Sequence, residues 1–339
     1  MLTGTKPYFW HDLPLLNGTP YTEANLESWY TAGRHLFPRR TLQDTLDQLE
    51  NRPAKGDVIS VKGIDGFWYE FPVRTGDTET VNGVSWHLEG PCIFYWDIET
   101  LKDTPDEDWP QIYCPVTIAH RIRPPNTGQV AETVRDIESG TEVAEAWEHG
   151  EDWLQIRSRL LSLGLRRKFS KVIGLACGSY ATVSNPVRDR RSIIEHAFLI
   201  LLHDLLRDNQ LASEDLTCYA QDPAYTEEDK RVLSDIHIGV LQDPEGFLEM
   251  DDRSLVFCSN PTTCVKSIVA EIARPMMIIW NRVTDDPATA GNGRYDPDCP
   301  RVREMIRSEY NIFDFPENNT FAGLAIYVKK EAMSAETIW

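Results

Sequence analysis

Between Lys171 and Arg282 the apolar positions come in short runs separated by polar and small-residue breaks. Lys171-Val-Ile-Gly-Leu-Ala176 leads into Cys177-Gly178-Ser179. After it, Ile194, Ala197, Phe198, Leu201, Leu202 and Leu205 recur at helical spacing, which predicts a helix over 191–207 with one buried face. A strand over 216–220 ends in Gln221-Asp222-Pro223, and a polar helix over 226–234 leads to a strand over 236–241 ending in Gln242-Asp243-Pro244. The run 254–258 ends in Ser259-Asn260-Pro261 and precedes a helix over 265–273; the run 276–280 ends in Asn281. Strands alternating with helices predict an α/β fold, a Rossmann-like, mostly parallel sheet with helices on both faces. Such sheets bind ligands outside the carboxyl ends of their strands, where strand order reverses.

The pattern changes toward the N-terminus. Residues 1–23 have no periodicity and are expected to drape over the surface. Helical spacing at 23–33 and 41–49 is followed by β-prone stretches at 57–61, 67–73, 84–88, 92–96 and 113–122, with an acidic loop at 97–109. The break Arg123-Pro-Pro-Asn-Thr-Gly128 divides the chain into a mixed α+β extension, 1–128, and the Rossmann-like domain, 129–339. One helix is predicted over 141–163. Its apolar face would be Trp147, Leu154 and Leu161 with Trp153, Leu160 and Leu163, and Gly164 its C-cap.

Composition narrows the classes. The 339 residues carry 34 Lys and Arg against 53 Asp and Glu, a net charge of -19, which argues against nucleic acid or an anionic membrane as partner. No apolar run approaches the roughly 20 residues of a membrane span, and the first residues lack the apolar core of a signal peptide. A cytoplasmic, or nuclear, protein is expected. Arg157, Arg159, Arg166, Arg167 and Lys168 form a local basic cluster, read as solvated surface at a helix C-terminus, with a phosphate or RNA contact as the alternative. The seven cysteines contain no CxxC and no zinc spacing, so reduced thiols and no metal are expected.

The candidate ligand-binding residues are those at the predicted strand ends: Gly174, Cys177, Gly178, Ser179, Asp222, Asp243, Asn260, Cys264 and Asn281. Of these, Gly178, Ser179, Asp222, Asp243, Asn260 and Asn281 are expected to line one pocket. Two carboxylates and two amides with no Lys or Arg nearby suit a hydroxyl- or amine-bearing, nucleoside-like ligand better than a bare phosphate. The competing reading gives the Asp-Pro corners to turns and helix caps. Thr262 or Thr263 is expected to cap the helix after them, with Cys264 either an inert buried thiol or an acidified one. Ser179 is a candidate nucleophile without an evident base, although His196 and His203 follow it at i and i+7. The residues point to no particular cofactor.

Val172-Ile-Gly-Leu-Ala-Cys-Gly-Ser179, Arg191-Ser-Ile-Ile-Glu-His-Ala-Phe-Leu-Ile-Leu-Leu202, Asp222-Pro-Ala-Tyr-Thr-Glu-Glu-Asp229 and Leu255-Val-Phe-Cys-Ser-Asn-Pro261 together resemble the sensitivity-to-red-light-reduced (SRR-like) family. The likeness spans about 165–285, and the N-terminal half resembles the extension of fungal members. Two positions depart from the family pattern. Ala176 stands for the first glycine of its Gly-x-Gly-Ser turn, and Pro261-Thr-Thr-Cys264 stands for Pro-His-Cys, so the histidine is missing. The resemblance implies a Rossmann-like domain with regulatory roles, among them light and clock signalling in plants and cytoskeletal or haem-related phenotypes elsewhere, and it implies no reaction. Three classes therefore stand: a regulatory or small-molecule-binding protein with protein partners; a methyltransferase-like enzyme; and tRNA-dependent acyl transfer of the cyclodipeptide-synthase type with Ser179 as nucleophile.

Overall fold

The computed structural model describes residues 8–9, 23–81, 83–103, 114–123, 133–134, 137–183, 186–285, 295–318 and 320–333. Chain contacts divide it into two compact units, Met1–Val130 and Ala131–Trp339.

The first unit is antiparallel. Strand Val84–Tyr95 pairs with Thr78–Val81 on one side and Val116–Arg123 on the other, and Tyr8–Phe9 adds to the latter. The stretches 84–88 and 92–96, expected as two strands, are one strand with a register shift between Leu88 and Pro91. A separate hairpin joins Val58–Lys62 to Trp68–Pro72. Helices Glu23–Thr31 and Arg39–Glu50 lie where the spacing predicts them. The acidic stretch expected to be all loop contains a short helix, Ile98–Lys102. Asp97 accepts from the amides of Glu99 and Thr100, satisfying donors that a helix start leaves orphaned. Most of 1–23 lies outside the described residues.

The second unit is a seven-stranded α/β sheet. Its strands are β1 (Phe169–Leu175), β2 (Ala212–Gln221), β3 (Gly239–Val240), β4 (Ser254–Cys258), β5 (Met277–Asn281), β6 (Tyr310–Asp314) and β7 (Leu324–Lys329). The spatial order is β3-β2-β1-β4-β5-β7-β6. The first five strands are mutually parallel, and β7 runs antiparallel to both β5 and β6. Chain order therefore reverses between β1 and β4, and the carboxyl ends of those strands flank the switch point.

The helices are α1 (Ile137–Glu148), α2 (Glu151–Leu161), α3 (Pro186–Asp208), α4 (Glu227–Asp235), α5 (Glu245–Leu248), α6 (Val265–Ile272) and α7 (Pro300–Glu309). Packed on β1 and β2, the buried face of α3 carries Ile194, Phe198, Leu201, Leu202 and Leu205 into the core. Phe198 meets Phe257 of β4 at 4.9 Å and Phe321 at 5.2 Å between ring centroids, and Trp147 and Trp153 close over it edge-on.

Two predicted elements come out differently. The helix over 141–163 is two helices, because the backbone turns extended at Gly150, a poor helix former that becomes the N-cap of α2. The break shifts the phase. Trp153, Leu160 and Leu163 are buried, while Leu154 and Leu161 face out at 56 and 38 % exposure. The strand over 236–241 shrinks to two residues. Its first half ends α4, where His237 takes φ 63° and the amide of Ile238 donates to Leu233. No helix among the described residues is long and apolar enough to cross a membrane.

Candidate functional site at the sheet switch point

Three segments meet where β1 ends: the loop 176–181, the start of the chain after β2, and the first turns of α3. Ala176 leaves β1 with φ 56° and its amide donates to Gln221. This is the left-handed region, disfavoured for a residue with a Cβ by about 1–2 kcal/mol. It explains why the SRR-like pattern has glycine there. Gly178 follows at φ 72°. Its amide donates to Asp222 at 2.7 Å, while the other oxygen of Asp222 accepts from Ala224 at 2.7 Å. Asp222 therefore ties the end of β2 to the β1 loop and shapes its own turn. It stays half-buried.

The helix-capping role expected of Asp222 falls to Asp229. This fully buried carboxylate closes a reciprocal cap with Thr226 at the start of α4. It also accepts from Ser179 Oγ at 2.9 Å and from the amides of Tyr180 and Ala181 at 2.7 and 2.8 Å. The Ser179 hydroxyl thus donates to a carboxylate already loaded with donors, which fixes the loop. Asp229 was not singled out from the sequence. Its signal was the Thr226-x-x-Asp229 spacing of a capping box.

Gly174, inside β1, has a packing reason to be glycine: a Cβ there would sit 2.4 Å from the Leu199 side chain. Cys177 is buried, and burial, with Glu195 and Asp222 close by, pushes its thiol well above the ordinary range. Asp243 accepts from the Gln221 side chain at 2.9 Å, and that same side chain receives the amide of Gly246. Asp243 therefore stands on the β2–β3 side. Asn260 is exposed just past β4. Asn281 closes β5, two strands from β1, and its Oδ1 is buried without a hydrogen-bond partner, as is Thr263 Oγ1. Cys264, buried, is itself the N-cap residue of α6, and neither Thr262 nor Thr263 caps that helix. The amide of Lys266 instead donates to Asp296 at 2.8 Å. The Lys266 ammonium is buried against Asp298.

The most polar part of the switch point comes from α3. Arg191 Nε donates to Glu195 at 2.8 Å, and its Nη2 donates to Ser259 Oγ at 3.0 Å. Ser259 Oγ in turn donates to Glu195. Ser259 is the residue after β4, so this network spans the reversal of strand order. Ser192 donates to the Ser179 carbonyl at 2.7 Å, holding the same helix turn against the β1 loop. Burial raises the Glu195 carboxyl to about 7, against the lowering effect of Ser259 and Arg191; Asp222 adds to the rise. The expectation of a site without nearby Lys or Arg is corrected here. An i, i+4 Arg–Glu pair reads as helix surface in a sequence, and only the contact with Ser259 buries it.

His196, one residue on, is fully buried. Its Nδ1 lies 2.7 Å from the Ser192 carbonyl and its Nε2 2.7 Å from the Tyr225 hydroxyl. Since the carbonyl can only accept, Nδ1 carries hydrogen toward it, and Nε2 shares a hydrogen bond with the Tyr225 hydroxyl. His203 is half-buried beside Asp204. Of the basic cluster, Arg167 pairs with Asp252 and Glu331, and Arg159 lies over the Phe313 ring, the behaviour of surface charges. All seven cysteines are free thiols, and no cluster of metal-ligating side chains occurs among the described residues.

Comparison with solved structures finds similar chain courses at low identity. An S-adenosylmethionine-dependent O-methyltransferase from Thermotoga maritima is 8% identical, covering 83% of this chain and 96% of its own, with a TM-score of 0.26. The N-methyltransferase NodS from Bradyrhizobium japonicum is 10% identical over 54% of this chain and 98% of its own, TM-score 0.30. A Thermoplasma acidophilum protein is 12% identical over 56% and 96%, TM-score 0.27. No curated protein matches. A family model, the SRR1 domain, matches residues 155–328, from within α2 to the last strand and through the whole switch-point network. By that match the chain belongs to the SRR1 domain family.

Proposed function

We propose that the SRR1 domain of this chain is a small-molecule-binding regulatory module whose site is the carboxyl edge of the sheet at the β1–β4 reversal. The observation that carries this reading is the meeting at that reversal of two hydrogen-bonded sets, Gly178 with Asp222 and Arg191 with Glu195 and Ser259, held to each other where Ser192 of α3 donates to the Ser179 carbonyl. Open α/β sheets bind ligands in that crevice. The ligand class is nucleoside-like: a half-buried carboxylate, Asp222, at the end of β2 suits a ligand bearing hydroxyl or amine groups. Asn260 and the unpartnered Asn281 Oδ1 extend the polar edge toward β5. A regulatory protein of this kind acts through a protein partner and works in the cytoplasm or nucleus, with the residues 1–128 as the SRR-like extension of fungal type.

The test is a thermal-shift screen of the full chain against nucleosides, S-adenosylmethionine and aminoacyl analogues. A dose-dependent rise in Tm with a nucleoside-bearing compound is expected. Absence of any shift across the panel overturns the reading. Turnover of S-adenosylmethionine, or a Ser179 acyl adduct seen by mass spectrometry, would replace binding with transfer chemistry.

A further inference from the structure

The site so described is acidic: Asp222 and Glu195 face it, and Asp229 lies beneath its loop. Among the described side chains, Arg191 is the cation bonded into this network. Arg191 projects from the second turn of α3, its side chain 34% exposed, whereas that of its partner Glu195 is 4% exposed. Two of the guanidinium nitrogens are committed inward, Nε to Glu195 and Nη2 to Ser259. Nη1 has no acceptor among the described residues. The guanidinium is therefore fixed by two partners and turned outward along its remaining donor edge. A planar fork held in place from behind is the arrangement that reads an oxyanion with little loss of side-chain freedom. A surface arginine that only complemented Glu195 would have no contact with the strand end. Ser259 provides that contact at the position where strand order reverses.

We propose that Arg191 is the oxyanion receptor of the crevice, taking a carboxylate or phosphate of a ligand whose hydroxyl or amine donors face Asp222. This rests on the small-molecule reading above and adds to it the charge of the ligand. The ligand then carries donors at one end and an acid at the other, as nucleotides and amino-acid-bearing nucleosides do. Glu195 and Ser259 are positioning residues: they touch Arg191 and hold its plane.

Two matched pairs test this by isothermal titration calorimetry on the full chain. Adenosine against adenosine monophosphate differs by a phosphate. Methylthioadenosine against S-adenosylhomocysteine differs by the amino-acid end with its carboxylate. In one pair or the other the anionic member is expected to bind at least about tenfold more tightly, a factor equal to about 1.4 kcal/mol. Which pair shows it tells phosphate from carboxylate. Arg191→Gln should remove that preference, weakening the anionic member about tenfold more than the neutral one. Ser259→Ala, which keeps the arginine and frees its plane, should reduce the preference partway and guards against a folding defect in the first variant. If neutral members bind and the acid adds nothing, or if Arg191→Gln weakens both members equally, the receptor role is overturned while the binding module stands. If no member of either pair binds, both readings fall.

Discussion

Replacing Glu195 with glutamine isolates the strangest charge in the fold. The carboxyl is 3% exposed and its proton is held to about 7 instead of 4.5. An acid whose folded pKa lies above its unfolded one favours folding at low pH. That stabilisation is complete below about 4.5 and is lost as pH rises through 7. The shift of about 2.5 units corresponds to about 3 kcal/mol at about 1.4 kcal/mol per unit. About 2 kcal/mol of it falls between about pH 5.5 and about pH 8.5. Glutamine has the same shape and no titration. Among the groups facing position 195 are Arg191 on its own helix, Ser259 after β4, Asp222 and Tyr225 after β2, and the thiols of Cys177 and Cys258. Urea unfolding of wild type and Glu195→Gln across this range, followed by far-UV circular dichroism, gives the difference in stability at each pH. Taking the difference cancels the other titrating groups. The variant is expected to gain about 2 kcal/mol on wild type from the acid to the alkaline end. A difference flat to within about 0.5 kcal/mol, or one of opposite sign, would refute the reasoning and show that Arg191 keeps the carboxylate ionised throughout.

Three further outcomes follow from the same geometry. Ala176→Gly removes a left-handed alanine and should stabilise the chain by about 0.5–1 kcal/mol, the gain being trimmed by glycine's freer unfolded state; a lower urea midpoint would contradict it. Asp229→Ala leaves the amides of Tyr180, Ala181 and Thr226 without their acceptor and should cost about 3 kcal/mol or more, with faster proteolytic cleavage in 178–181 as a local readout. Leu201→Ala, on the buried face of α3, should cost roughly 2–5 kcal/mol; a loss below about 1 kcal/mol in equilibrium unfolding would place that face outside the core.

The central strands were legible because their apolar runs are uninterrupted, as strands buried on both faces must be. Runs 171–176, 254–258 and 276–280 became β1, β4 and β5. The hairpin of β6 and β7 went unread. Tyr310–Asp314 alternates buried and exposed positions over only five residues, too short a pattern to stand out. The run 236–241 misled because Ile238 is apolar for another reason: it packs beneath the end of α4. At the site, Gly178 and Asp222 were found from their places after strands, and the structure joins them directly. Asp243 was placed by the same rule, but Gln221 holds it on the β2–β3 side. Arg191, Glu195 and Asp229 were missed because the partners that bring them to the strand ends lie 48 to 68 residues away. Helical spacing shows which residues share a face and says nothing of what that face meets.

The central claim is that the β1–β4 reversal holds a small molecule. Hydrogen–deuterium exchange of the full chain with and without adenosine and S-adenosylmethionine tests it most directly, because it reports where protection arises. The account predicts that whichever compound raises Tm slows exchange in 176–181, 191–196, 222–226 and 259–264, with little change at the opposite edge of the sheet, where 212–216 and 251–254 lie. Protection confined to segments away from the carboxyl ends of β1, β2 and β4, with those four stretches unchanged at saturating ligand, would contradict it.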